Sequence, residues 1–233
     1  MKASALAATS MSGAEPGARR RCIAPLLALA MLAAGCASLP QGGAPSAPLP
    51  EELRRLEAAP LAGPGHDLDA GMRELYQGNL DAAAKCFNKG PKLDPQNANL
   101  NFLSALVYHL RAAGGDRTQG DLAEVGYRLA LKFDPNHWLA AYQLGRLYWE
   151  QRRYGEAQDA FARALLAEPE NARAAYGLAA ASYAAGDPLT AKVALERLPA
   201  SSAASSAVLR TRALVHAALG ERGAAEQNLL VYY

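Results

Sequence analysis

A chain of 233 residues holds one or two domains, and its net charge of +2, from 24 basic and 22 acidic residues, lacks the basic excess of a nucleic-acid binder. Alanine, glycine and proline are plentiful and only 7% of residues are aromatic, which suits closely packed helices better than a sheet core. No run of about 20 apolar residues occurs, so no transmembrane helix is expected.

The first segment reads as an export signal. Arg19, Arg20 and Arg21 precede the apolar run Ile23 to Ala34, and small residues follow at Gly35. A basic start, a short apolar stretch and small residues before a cut make a secretory signal over residues 1–35. Ala33-Ala34-Gly35-Cys36 resembles a bacterial lipobox, with Ala where Leu is commoner. That resemblance implies diacylation of Cys36 as the mature N-terminus; the alternative is an ordinary signal peptide with a chance Cys. Ala37, rather than Asp, is similar to lipoproteins sorted to the outer membrane, which implies a lipid-anchored protein on its periplasmic face. Several acyl chains are needed for durable anchoring, since one chain holds only marginally.

Cleavage would remove Cys22 and leave Cys86 as the only ordinary thiol, so no intramolecular disulfide can form. Cys86 itself reads as a small, half-buried hydrophobe. Subtracting Lys2, Arg19, Arg20, Arg21 and Glu15 leaves 20 basic and 21 acidic residues, close to neutral. Residues 36–65 carry Pro40, Pro45, Pro48, Pro50, Pro60 and the Gly63-Pro64-Gly65 break. Apart from a short helix over Glu51 to Ala59, they read as a disordered tether.

From residue 66 onwards the pattern becomes helical and periodic. Apolar positions recur at helical spacing through Ala141, Leu144 and Tyr148, then through Tyr154, Ala157, Phe161, Ala164 and Leu165. The break from Glu150 to Arg153 is short enough only for an antiparallel turn, and Pro169 with Asn171 ends one helix and caps the next. Numbered from Trp138, residues Leu144, Gly145, Tyr148, Ala157, Phe161, Ala164 and Pro169 fall on seven of the eight signature positions of the tetratricopeptide repeat, a unit of about 34 residues; Ala141 stands where the signature has Trp. The stretch therefore resembles a tetratricopeptide repeat.

Stepping by that period finds neighbours. Leu144 maps to Leu178, Ala157 to Ala191 and then Ala225, and Phe161 to Leu195 and then Leu229, with Gly186 and Gly220 in the hairpin turns. Backwards, Ala123, Tyr127, Ala130 and Pro135 match a second helix, but Phe102, Ala105 and Tyr108 lie 40 residues before their counterparts. Six extra residues are therefore expected as a longer turn around Gly114 to Gly120. The earliest unit keeps Gly71, Gly78, Ala83, Phe87 and Asp94-Pro95, while Gly90-Pro91 should kink its second helix or end it early. The repeats fall at about 64–97, 98–137, 138–171 and 172–205, with 206–233 an incomplete fifth. The resemblance implies an all-α fold over residues 66–233, a right-handed superhelical α-solenoid of antiparallel helix hairpins. The apolar ending, Leu229 to Tyr233, suggests contact with a partner or a longer protein.

Catalytic signatures are missing from the sequence. His66, His109, His137 and His216 form no H-E-x-x-H pair, and neither a nucleophile elbow nor a phosphate loop is present. Asp134-Pro135-Asn136-His137 has counterparts at Asp94-Pro95-Gln96-Asn97 and Glu168-Pro169-Glu170-Asn171, which makes it a turn between repeats. No enzyme activity, cofactor, metal or small-molecule substrate is expected. In the family the first helix of each hairpin lines a binding groove. Carried across, the resemblance implies groove residues Phe102, His109, Tyr142, Arg146, Trp149, Arg173, Tyr176 and Tyr183, beside Asn99. Aromatic residues next to arginines are the composition of binding hot spots; the alternative is that the rings fill space between repeats.

These features imply a lipid-anchored interaction scaffold that binds a protein or peptide segment of an envelope assembly. It is similar to the tetratricopeptide lipoproteins of pilus biogenesis and secretin assembly. Two alternatives remain, the leading segment of a larger secretin-like outer-membrane protein and a regulator of an envelope hydrolase.

Overall fold

A helix with one apolar stripe must bury it, and short turns leave it only its chain neighbours to bury it against. The computed structural model describes residues 68–113 and 118–232, and these form helices with no strand among them. The proposed signal, Cys36, the tether and the Gly114–Gly115–Asp116 turn lie outside the described residues.

The helices are α1 (Leu68–Tyr76), α2 (Leu80–Phe87), α3 (Gly90–Leu93), α4 (Ala98–Ala113), α5 (Thr118–Phe133), α6 (Trp138–Glu150), α7 (Tyr154–Ala167), α8 (Ala172–Ala185), α9 (Pro188–Glu196), α10 (Ala200–Ala203), α11 (Ser206–Ala218) and α12 (Arg222–Tyr232). Five hairpins follow one another as α1–α2, α4–α5, α6–α7, α8–α9 and α11–α12, each packed on the next. This is the all-α solenoid expected from the repeat period. Below, α4, α6, α8 and α11 are first helices, and α5, α7, α9 and α12 second helices.

One aromatic ring sets the spacing at the centre. Phe161 of α7 is 3% exposed, and a methyl added at Gly145 of α6 or Gly177 of α8 would come within 2.8 Å or 2.7 Å of its ring. Two first helices can therefore close on Phe161 only because both lack a side chain there. The first hairpin repeats the device, since Gly71 faces Phe87 at 2.6 Å by the same measure.

Each first helix is capped from the same repeat position. Asn97 accepts from the Leu100 amide at 3.2 Å, Asn171 from Ala174 at 3.1 Å and Ser205 from Val208 at 3.4 Å. At this position α6 has His137, whose Nδ1 accepts from the Ala140 amide at 3.1 Å. Its Nε2 lies 3.0 Å from Asn99 Oδ1, so the neutral ring with hydrogen on Nε2 satisfies both contacts. Burial pushes the His137 pKa down, consistent with a neutral cap.

The turns within hairpins also share a position. Gly78, Gly186 and Gly220 have φ of 79°, 88° and 77°, and Arg152 takes the place in the third hairpin with φ of 61°. A left-handed arginine is strained where glycine is not. On the outer side, Glu124 of α5 accepts from Tyr148 Oη at 3.0 Å and from Arg153 Nη1 at 2.7 Å, tying the second hairpin to the third.

Of the six extra residues, five lengthen helices, since α4 and α5 have 16 residues each against 13 and 14 in α6 and α7. Thr118 to Gly120 form the first turn of α5, with Gly120 buried near Leu147 and Gln151 of the next hairpin. The Gly90-Pro91 break is present: α2 stops at Phe87 and Pro91 sits in the first turn of the separate α3.

Three expectations follow. Gly145→Ala should cost about 1–3 kcal/mol by overpacking Phe161, whereas Gly155→Ala, with nothing within 4 Å, should be neutral or gain up to about 1 kcal/mol in thermal unfolding. Arg152→Gly should gain roughly 1 kcal/mol by relieving the left-handed backbone, read as a higher urea midpoint. His137→Asn keeps a cap but cannot titrate. A histidine with a lowered folded pKa stabilises the fold above its ordinary value of 6.5 and loses that contribution as pH falls through the window below it. Wild type should therefore lose Tm relative to His137→Asn between pH 7 and about 5, and parallel curves would count against the neutral cap.

Candidate partner-binding seam

The first helices meet along one seam, and polar or aromatic side chains join them pair by pair. Between α4 and α6, His109 Nε2 lies 3.1 Å from Glu150 Oε2, and its Nδ1 lies 3.1 Å from the Tyr127 hydroxyl of α5. Along α6, Arg146 donates to Gln143 Oε1 at 3.1 Å and to Glu150 Oε1 at 3.3 Å. Between α6 and α8, the Arg173 guanidinium sits over the Tyr142 ring, 5.7 Å from its centroid. Between α8 and α11, the hydroxyls of Tyr176 and Thr211 are 3.4 Å apart.

Helical spacing explains the arrangement. Tyr142, Arg146 and Glu150 are each one turn apart on α6, so they share one face. Burial disfavours the Glu150 carboxylate, but the hydrogen bond and charge of His109, and then Arg146, outweigh it and hold its pKa below the usual range. Burial pushes the Tyr142 hydroxyl up to about 12 despite nearby Arg146. Burial likewise lowers the Arg173 pKa from its ordinary value.

The eight expected groove residues divide by depth. Phe102 is 0% exposed, with its ring 5.9 Å from Tyr127 and 5.0 Å from His137, so it packs the hairpin and presents nothing to a partner. His109 is 3% exposed and engaged on both ring nitrogens, and Tyr142 is 2% exposed, its ring 5.7 Å from Phe161. Arg146 is 8% exposed. Phe102, His109 and Tyr142 thus fill space between helices, the alternative that the sequence leaves open for these rings, and Arg146 is buried beside them. Trp149, Arg173, Tyr176 and Tyr183 are half-buried and keep surface along the seam. Trp149 also rests against the Tyr154 ring at 5.1 Å.

Gln143, Glu150, Tyr127 and Thr211 belong to the seam although the groove positions did not include them. Glu150 was findable, since it follows Arg146 by one turn; Gln143 and Thr211 carry no signal at the level of sequence. Among the described residues no group of three or more His, Cys, Asp or Glu could hold a metal ion, and no helix is long and apolar enough to cross a membrane.

Over 79 residues the chain is 41% identical to the putative cellulose synthase operon protein C of Escherichia coli O157:H7, covering 34% of this chain and 7% of that protein. The cellulose synthase operon protein C of Escherichia coli K12 matches at 41% over 82 residues, again 34% and 7%. The match thus spans only a small part of these relatives. Among solved structures, a MamA protein superposes with a TM-score of 0.61 at 21% identity, covering 71% of this chain and 87% of that one. The pilF structure from Pseudomonas aeruginosa gives 0.55 at 24%, covering 71% and 72%. These likenesses concern the fold alone. Residues 148–215, from the end of α6 into α11, match the tetratricopeptide repeat family, in line with the all-α solenoid of the described residues.

Proposed function

We propose that the chain is a non-enzymatic scaffold that binds a protein segment along the seam of its first helices, held at the outer membrane by lipid on Cys36. The observation that carries the binding part is the row of half-buried Trp149, Arg173, Tyr176 and Tyr183, which spans two successive repeats. Large rings and arginines are enriched among the residues that dominate binding energy. Tetratricopeptide repeats serve as protein-interaction scaffolds, and the repeat match in residues 148–215 covers all of this row.

The finer setting is assembly of a pilus or secretion complex. It is supported by the lipobox-like Ala33-Ala34-Gly35-Cys36 and by the fold-level likeness to pilF. The identity to cellulose synthase operon protein C favours a second reading, a scaffold working beside a cellulose synthase.

Site-specific photo-crosslinking in cells tests the seam. A benzophenone amino acid at position 149 or 176 should give a discrete adduct, while one at the exposed Leu166 or Val193 should not. Adducts only from the latter pair would move the binding surface to the second helices. Trp149→Ala combined with Tyr176→Ala should weaken partner binding about tenfold or more, the scale of two modest hot spots. Cys36→Ser should abolish palmitate labelling and release the protein from membranes. Unchanged labelling would refute the anchor and leave the seam standing.

A further inference from the structure

Repeat register makes each second helix a control for the others. Ala123 and Tyr127 of α5 correspond to Ala157 and Phe161 of α7, and all four are buried. On that register Leu122, Val125 and Leu129 of α5 fall where α7 has Glu156, Asp159 and Arg163. Three charges of α7 are thus replaced by three apolar side chains on α5, and Phe133 follows one turn later. Leu122 is 48%, Val125 57% and Phe133 37% exposed, and Leu129 is half-buried. Elsewhere exposed apolar side chains stand singly or in pairs, as Leu166 on α7 or Leu189 with Val193 on α9.

Spacing of three, four and four residues sets the α5 side chains on one stripe about 16 Å long. A contiguous exposed apolar stripe marks a contact surface. The charges beside it are ordered by sign. Asp121 flanks its N-terminal end, and Lys132 flanks its C-terminal end with its ammonium 5.7 Å from the Phe133 centroid. Eleven residues are close to three whole turns, so both flank the same side of the stripe. Glu124 and Arg128 are already paired with each other, and Glu124 with Arg153 of the next hairpin, so neither enters the match.

We infer that two copies of this chain pair through antiparallel α5 helices, burying Leu122, Val125, Leu129 and Phe133 between them. With the two-fold axis at the level of Tyr127, Leu122 meets the partner's Phe133, Val125 the partner's Leu129 and Asp121 the partner's Lys132. Each contact then occurs twice, as a symmetric dimer requires. A parallel pair in register would instead set Asp121 against Asp121 and Lys132 against Lys132. The net charge of +2 opposes self-association little. One helix against one buries less area than a standard interface, so the dimer is weak and forms at micromolar concentration. This surface is independent of the seam, which belongs to the first helices.

Sedimentation equilibrium of the full chain from about 1 to 200 µM tests the pairing. Wild type should pass from monomer towards dimer across that range. Val125→Arg should weaken dimerisation about tenfold or more, while Val193→Arg on α9 should leave it unchanged. Asp121→Lys or Lys132→Asp alone should weaken it about three- to tenfold, since each change acts twice and turns attraction into repulsion. The two together should restore it. Thermal unfolding of each variant separates lost pairing from lost fold, and Leu122→Gln reads the same loss should Val125→Arg unfold. A chain that stays monomeric throughout would overturn the inference. So would a dimer indifferent to Val125→Arg and Leu122→Gln, whose interface must lie elsewhere. A dimer weakened by each charge variant without mutual rescue would overturn it too, because its helices would not be antiparallel.

Discussion

Phe161 is the contact on which the rest of the array depends. Its ring lies where α6 and α8 come together, and glycine stands against it from each side at Gly145 and Gly177. A buried phenylalanine contributes roughly 1.5–3 kcal/mol from burial alone. The close approach adds more, because it brings two first helices into register and lets their other side chains touch. Tyr142 rests on Phe161, and Arg173 rests on Tyr142, so a ring of the core positions a charge at the surface. Packing and candidate function are thus one chain of contacts.

The seam follows from that spacing. Once the first helices stand this close, polar groups on their facing sides lose water and must find one another. His109, Glu150, Arg146 and Gln143 do so, and Tyr127 closes the set from the second helix. A partly buried network of this kind fixes the relative position of neighbours more than it adds to stability. It leaves Trp149, Arg173, Tyr176 and Tyr183 half-buried along the seam.

The sequence made the repeat architecture legible because tight helix packing demands small residues at fixed intervals, and Gly145, Ala157 and Ala164 could be read directly. Phe161 was legible as scaffold for the same reason. Depth along the first helices was not. Phe102, Tyr142 and Tyr176 sit at the same repeat position, yet the first two are buried and the third half-buried, because depth depends on the neighbouring hairpin, which no single repeat encodes. His137 was read as part of a turn, and its role as a cap emerges only from the Ala140 amide above it. The extra residues before the central repeat were counted correctly but misplaced. Thr118, Gln119 and Gly120 begin a helix where glycine alone suggested a loop, and the adjoining hairpin covers Gly120.

If Phe161 binds α6, α7 and α8 into one unit, that unit should open as a whole. Native-state hydrogen exchange of the full chain in low urea measures this directly. Slow amides in α6, α7 and α8 should converge on one opening free energy with one urea dependence. Separate energies for the α6–α7 hairpin and for α8, each with its own urea slope, would show that the ring does not couple them and would contradict this account.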